Sequence, residues 1–310
     1  MIPTGGTQAI SCAFSYSAAS YTDADPDPTP TVTGTSGGTF TSTAGIVINA
    51  DTGEIDLSAS TLNTYVVTYT VGAKACTQSV EITASFSNTK SLAFDGVDDS
   101  VNIGLLSALN GSQYFSISMW VNPSALTAAT DFMIFSIYTS ANDRIFLEFF
   151  GNKLVVNISN GGSKHMLFPM TFSTGQWYNI IAIYDGTQVG ADRLKCYVDA
   201  VAQTNTQVSF NVNLATFTSD YHIGSYPDGS WGFNGNIDEV ALFDSALTSG
   251  NVTSIFNGGT PNDLTSLNPL AWYRMGDKVT SWPTIPDQAG SNDGTATNMD
   301  ISDIETDVPT

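Results

Sequence analysis

The chain has 310 residues, room for two domains of ordinary size, with 42% hydrophobic and only 12% charged residues, which excludes an intrinsically disordered chain. Nine basic residues against 29 acidic ones leave a formal charge of −20. Such a surface repels phosphate backbones and anionic lipid, so nucleic-acid binding is not expected; glycans, divalent cations and high salt are compatible with it, and so is a role in solubility alone. No apolar run approaches the length of a membrane span.

Strand signals begin at residues 9–17 (AISCAFSYS), where apolar and polar residues alternate. The run Asp23 to Pro30 (DADPDPTP) follows; its prolines lack donors, so it reads as a long extended loop. Short segments at 31–35, 39–42, 45–49, 54–58, 64–71 and 77–86 come next, punctuated by Gly37-Gly38 and Asp51-Thr52-Gly53. About seven short strands at this spacing predict a β-sandwich over residues 1–86.

Residues 86–90 form a polar link, and a second module is predicted over 87–310. Its strands are longer and richer in aromatics: 114–121 (YFSISMWV), 132–138, 144–150, 153–158, 177–184 (WYNIIAIY) and 194–201, then 220–224, 236–243 and 270–275. Only 246–257 (ALTSGNVTSIFN) invites a helix, of one or two turns. The pattern predicts a large antiparallel sandwich of about a dozen strands, all-β like the first module, with a tail over 260–310. Trp120 and Trp177 fall inside strand patterns and are expected in the core, while Trp272 and Trp282 are placed to seal the tail.

Three cysteines are too few for a disulfide scaffold. Cys12 and Cys76 lie near the two ends of the first module and can be bridged or free; Cys196, between Leu194 and Val198 on an alternating strand, reads as a buried free thiol. The opening Met1 to Gly6 carries neither a basic region nor an apolar stretch. The expectation is a chain that leaves signal-dependent export unused, or one whose leader lies outside this sequence.

Four segments of the second module resemble the laminin-G-like jelly rolls of the concanavalin A-like lectin/glucanase superfold. They are Leu92 to Ile103 (LAFDGVDDSVNI), Phe115 to Val121 (FSISMWV), Trp177 to Gly186 with Leu194 to Asp199, and Gly224-Ser225 with Phe233 to Phe243 (FNGNIDEVALF) and Ala246-Leu247. The tail, through Trp272 to Asp277 and Asp287 to Met299, resembles a closing segment of such modules, and the resemblance implies an antiparallel jelly-roll sandwich with 260–310 as its closing tail. The first module resembles bacterial and phage immunoglobulin-like repeats through Pro30 to Gly34, Gly37 to Phe40, Gly53 to Ser58 and Tyr65 to Thr70. The pairing of the two modules, with the tail WYRMGD…IPDQAGSNDGT, resembles virion structural proteins of marine tailed phages.

Because the superfold hosts glucanases, catalysis has to be weighed. Retaining glucanases of this kind resemble Glu-x-Asp-x-x-Glu on one strand, with the carboxyls about 5 Å apart. The nearest match, Glu54 to Ala59 (EIDLSA), ends in Ala and lies in the first module. Asp238 and Glu239 are adjacent, and alternation along a strand sends them to opposite faces. His165 and His222 have no Ser or Cys motif beside them. The chain is therefore read as non-catalytic.

Calcium takes six to eight hard oxygens, and the family resemblance implies a site at the sandwich rim. The candidate ligands are Asp95, Asp98 and Asp99 in the opening loop, and Asp238 in a strand expected to neighbour it; the bland alternative is a solvated acidic loop with Asp98 capping a turn. The Asp23, Asp25 and Asp27 run lacks EF-hand spacing and reads as a solvated loop. For glycans, Tyr226 to Trp231 (YPDGSW) offers two aromatics and a carboxylate in a turn-rich stretch, so Tyr226, Asp228 and Trp231 are the candidate sugar contacts; alternatively Trp231 folds back over the sandwich edge.

The resulting expectation is a virion surface decoration or fibre protein of a tailed phage, with a glycan-binding jelly roll. Its partners would be other virion proteins, surface glycans and further copies of itself, with no nucleic acid and no membrane insertion. The alternative is a secreted or cell-surface adhesin or carbohydrate-binding module, and a glucanase-like hydrolase ranks last.

Overall fold

The computed structural model describes residues 9–127, 131–162, 165–168, 170–204, 211 and 213–310. The chain divides into two units, Met1–Ser87 and Asn88–Thr310.

The first unit contains strands β1 (Phe14–Ser15), β2 (Ser20–Thr22), β3 (Thr31–Val32), β4 (Thr39–Ser42), β5 (Val47–Ile48), β6 (Ile55–Asp56), β7 (Asn63–Val71) and β8 (Lys74–Thr83). The order β2-β8-β7-β4 makes one sheet; β1 pairs with β3, and β5 with β6. The β7–β8 hairpin dominates because its sequence alternates cleanly: Tyr65, Val67, Tyr69 and Val71 are buried, and the residues between them face out. With Phe40, Ile55, Leu57, Val80 and Ile82 they form a separate small core. Cys12 and Cys76 are joined by a disulfide beside it. The expected strand over 9–17 shrinks to Phe14–Ser15, whose strand partner among the described residues is the two-residue β3 that leaves the proline-rich loop.

The second unit continues with β9 (Ser91–Asp95), β10 (Ser100–Asn102), β11 (Tyr114–Pro123), β12 (Asp131–Ser140), β13 (Asp143–Phe150), β14 (Lys153–Asn160), β15 (His165–Phe168), β16 (Tyr178–Asp185), β17 (Leu194–Val198), β18 (Val201–Ala202), β19 (Tyr221–Ile223) and β20 (Asn234–Phe243). The eight-residue helix α1 (Ser249–Phe256) follows, then β21 (Ala271–Tyr273), β22 (Thr284–Ile285), β23 (Gly294–Thr297) and β24 (Ile304–Glu305). One sheet, called the front, runs β15-β14-β13-β12-β19-β10-β23-β22; the back sheet runs β18-β17-β16-β11-β20-β9-β24, with β21 also on β20. All strand pairs within both sheets are antiparallel. Among the described residues the expected dozen strands become sixteen, with β22, β23 and β24 of the tail and the short β15 and β18 among the additions.

The two sheets share one core. Ile134, Phe135 and Ile137 of β12 and Ile145, Leu147 and Phe149 of β13 meet Phe115, Ile117 and Met119 of β11 and Ile180, Ala182 and Tyr184 of β16. Each large apolar side chain buried here contributes about 1.5–3 kcal/mol. Cys196 lies in this core with Leu194 and Val198, and burial pushes its thiol far up.

Helix α1 starts where Thr248 accepts from Asn251 N and Asn251 returns the bond, a reciprocal cap, and it ends at Asn257 in the left-handed conformation. Its Phe256 stacks on Trp120 at 5.8 Å. Trp120 is thus buried on the outer face of the back sheet, outside the main core. Trp177 departs from expectation as well. It precedes β16, is half-buried and donates its indole N–H to Asp307 at 3.0 Å, while Tyr178 takes the core position.

Candidate functional site

The opening loop turns on its own carboxylates. Val97 N donates to Asp95 Oδ1 at 2.7 Å, and Asp95 N donates to Asp99 Oδ2 at 2.8 Å. Carboxylate oxygens of Asp95, Asp98 and Asp99 consequently lie within 4.8 Å of one another, Asp99 buried and the other two exposed. The closing tail adds a fourth acidic group: Asn298 Nδ2 donates to Asp98 O at 3.3 Å, and Asp303 is near enough to act on Asp99. Burial, then repulsion from Asp95, Asp303 and Asp98, pushes the Asp99 carboxyl up to about 6. Among the described residues no salt bridge reaches these acids. Three clustered carboxylates with backbone carbonyls at hand suit a hard divalent cation, with water completing six to eight oxygens.

The loop joining β19 to β20 packs directly against this acidic turn. A side chain at Gly232 would come within 3.0 Å of the backbone of Gly96 and Val97, and one at Gly229, where φ is +84°, within 3.5 Å of Asp98 Cβ. Glycine is favoured at 232 by the close approach and at 229 by the left-handed backbone. The loop is internally fixed: Tyr226 N donates to Ser230 O at 2.9 Å, Gly229 N to Tyr226 O at 2.8 Å, and Ser230 N to Asp228 Oδ1 at 2.9 Å. Met133 N of β12 donates to Trp231 O at 2.8 Å and ties the loop to the front sheet.

Tyr226 and Trp231 meet edge to face at 5.0 Å, and Trp231 stays 47% exposed rather than folding away. Two aromatics that the sequence reading missed complete the group. Tyr138 lies 5.2 Å and Phe146 5.7 Å from the Tyr226 ring, on the outward face of β12 and β13. The Arg144 guanidinium sits 5.2 Å from the Phe146 ring centre. Burial, then Tyr138, pushes the Tyr226 hydroxyl up to about 12. Nearby on β13, Glu148 is pushed up to about 7 by burial and by Asp131, against the pull of Arg144.

Asp238 does not join the acidic turn. It is fully buried in β20, where Asn88 Nδ2 donates to its Oδ2 at 2.8 Å and Glu239 N to its Oδ1 at 2.8 Å. Alternation fails at this point: the register with β11 slips between Ser118 and Trp120, and Glu239 takes φ +49°. Both acids are therefore buried, instead of lying one in and one out. Glu239 accepts from Arg274 Nε at 2.9 Å and Trp272 Nε1 at 2.7 Å. Burial raises both carboxyls, and Glu239 to about 7 despite Arg274.

His222 finds a serine in space that its sequence neighbours do not supply: Ser100 Oγ lies 3.2 Å from its Nδ1. Burial lowers the imidazole, and the nearby Asp220 instead accepts from Asn102 Nδ2 at 3.0 Å. The group is a polar row across β10 and β19 rather than a nucleophile relay.

A laminin-G-type family profile described as "Concanavalin A-like lectin/glucanases superfamily" matches residues 94–253, just over half of the chain. No curated protein matches it. Among solved structures, a candidate carbohydrate binding protein from Bacteroides ovatus is 14% identical, with a TM-score of 0.58 over 96% of this chain and 98% of that one. The CBM40 of Ruminococcus gnavus IT-sialidase, bound to alpha2,3 sialyllactose, is 9% identical with a TM-score of 0.43 over 54% of this chain and 97% of that one. Domains LG4-5 of the mouse laminin alpha1 chain are 13% identical with a TM-score of 0.40 over 54% of this chain and 44% of that one. The first of these likenesses extends the common fold over nearly the whole chain.

Proposed function

The chain belongs to the concanavalin A-like lectin/glucanases superfamily, and from that premise we propose that it is a non-catalytic glycan-binding protein whose site is the rim formed by the 95–99 and 226–231 loops. The observation that carries this reading is the exposed Trp231 ring set against Tyr226, on a loop in contact with the Asp98 turn. An aromatic edge gives a sugar ring an apolar face to stack on, and adjacent carboxylates accept from its hydroxyls. The Bacteroides ovatus protein, alike over both chains, is itself described as carbohydrate-binding and supports the same reading.

Asp95, Asp98 and Asp99 hold calcium in this proposal. The cation neutralises their mutual repulsion and fixes the turn against which the aromatic loop rests. A lectin-like role, not hydrolysis, is also favoured by the burial of Asp238 and Glu239, whose oxygens face Asn88, Arg274 and Trp272 and not solvent. Glycan binding of this kind fits an adhesin or carbohydrate-binding module as well as a virion fibre. The test is an array of neutral and acidic oligosaccharides probed with the full chain, with and without calcium. Binding lost on Trp231→Ala supports the rim site; no binding to any glycan in either buffer sinks it.

A further inference from the structure

The outer face of the back sheet carries a second concave feature that the rim does not explain. Two adjoining cavities, about 430 and about 260 Å³, share Asp192, Lys195 and Tyr197 as common walls. The larger is of the size that takes small molecules. Strand alternation creates them. Leu194, Cys196 and Val198 of β17 point into the core, so Lys195 and Tyr197 project to the other side. The smaller cavity is floored by Ile183 and Leu247, both buried outside the main core, and it is closed by the start of α1.

The polar groups around this apolar floor have hydrogen-bonding capacity to offer. Among the described residues, the Asp192 carboxylate, the Lys195 ammonium and the Tyr197 hydroxyl make no hydrogen bond or salt bridge. Asp185, by contrast, is already held by Thr187 and Gln188. Burial pushes that carboxyl up, but those bonds and Lys195 outweigh it and keep it below the usual range. Two carboxylates of the lining thus face one ammonium, and the neighbouring Arg193 donates its Nε–H to Gln188 O.

We propose that this groove seats a pyranose ring, uncharged or amino-bearing. The Tyr197 ring and Ile183 provide the apolar surface, and Asp192 and Lys195 bond the hydroxyl or amino groups. Asp185 and Asp192, both in the lining, disfavour a sugar carboxylate seated beside them. This seat stands independently of the rim site, and the two together would make the unit bivalent towards a polysaccharide.

The test is amide-resolved NMR titration of the full chain with glucosamine, glucose and glucuronate. Saturable shifts at Lys195, Tyr197 and Gln203 with glucosamine or glucose, weaker with glucuronate, are expected. They persist in Tyr226→Ala/Trp231→Ala, and Asp192→Asn/Lys195→Met weakens binding by about tenfold or more. Both of the latter positions are exposed, so the fold is expected to tolerate the change. Absence of saturable shifts there with all three sugars in the unsubstituted chain overturns the proposal. So does glucuronate binding as tightly as glucosamine, or binding indifferent to Asp192→Asn/Lys195→Met. Loss of rim binding with retention of these shifts would separate the failure of the rim reading from that of this one.

Discussion

Arg274 Nε lies 2.9 Å from Glu239 Oε1, with both side chains almost wholly out of water. The same guanidinium reaches Asp277 Oδ2 at 3.1 Å, and Asp277 in turn accepts from Thr89 N and Oγ1. One cation therefore holds β21 to β20 and to the start of the unit.

Removing that cation strands a buried carboxylate. Arg274→Met is expected to destabilise the second unit by about 3–5 kcal/mol, and pairing it with Glu239→Leu should return much of the loss. Urea unfolding of both variants checks this; equal destabilisation of the single and double variants would refute it.

Calcium should raise the melting temperature of the second unit by several degrees over an EDTA control, through binding to the folded state alone. Asp98→Ala should abolish the rise. Asp99→Asn should abolish it too, while raising the metal-free melting temperature at pH 7, because it removes a carboxyl that burial and three neighbouring acids oppose. An unchanged calcium response in both variants would place the ion elsewhere.

Glu148 gives stability a pH dependence. Its folded carboxyl is raised from 4.5 to about 7, so the folded state binds the proton more tightly than the unfolded chain does. The contribution is full below about pH 4.5 and lost as pH rises through about 7. Calorimetry from pH 4 to 8 should show a fall in melting temperature that is shallower in Glu148→Gln. Parallel curves would mean that Glu148 is solvated.

The Cys12–Cys76 bridge spans 64 residues, and chain-entropy arguments assign such a loop about 4 kcal/mol. Cys12→Ser/Cys76→Ser should lower the unfolding transition of the first unit and leave that of the second in place, as followed by calorimetry.

What could be read from the sequence was local. Asp95, Asp98 and Asp99 fall within five residues, so the family resemblance could be carried onto them together, and Tyr226 and Trp231 fall within six, in a stretch that turn chemistry singles out. Tyr138, Phe146 and Asp303 come from elsewhere in the chain, and only strand pairing and the course of the tail bring them to the rim. Asp238 misled because the antiparallel register of β20 on β9 sets Asn234, not Asp238, opposite Asp95. The expected alternation of Asp238 and Glu239 failed for a different reason. A register slip in β20 breaks the two-residue period, and no residue type near 239 announces it: Glu239 adopts a positive φ without being Gly or Asn. Trp177 shows the same limit at a boundary, where one residue separates the core position from a half-buried surface one.

The back sheet ends where β9 receives β24, with Leu92 opposite Ile304 and Ser91 opposite Glu305. Beyond that pair, Asp307 accepts from Asn122 Nδ2 at 3.1 Å and from Trp177 Nε1 at 3.0 Å. During synthesis, the strand that starts the second unit must wait for more than two hundred later residues before its outer edge is covered. The unit therefore cannot finish folding on the ribosome until that stretch has emerged, and its nascent form exposes an unpaired strand edge throughout.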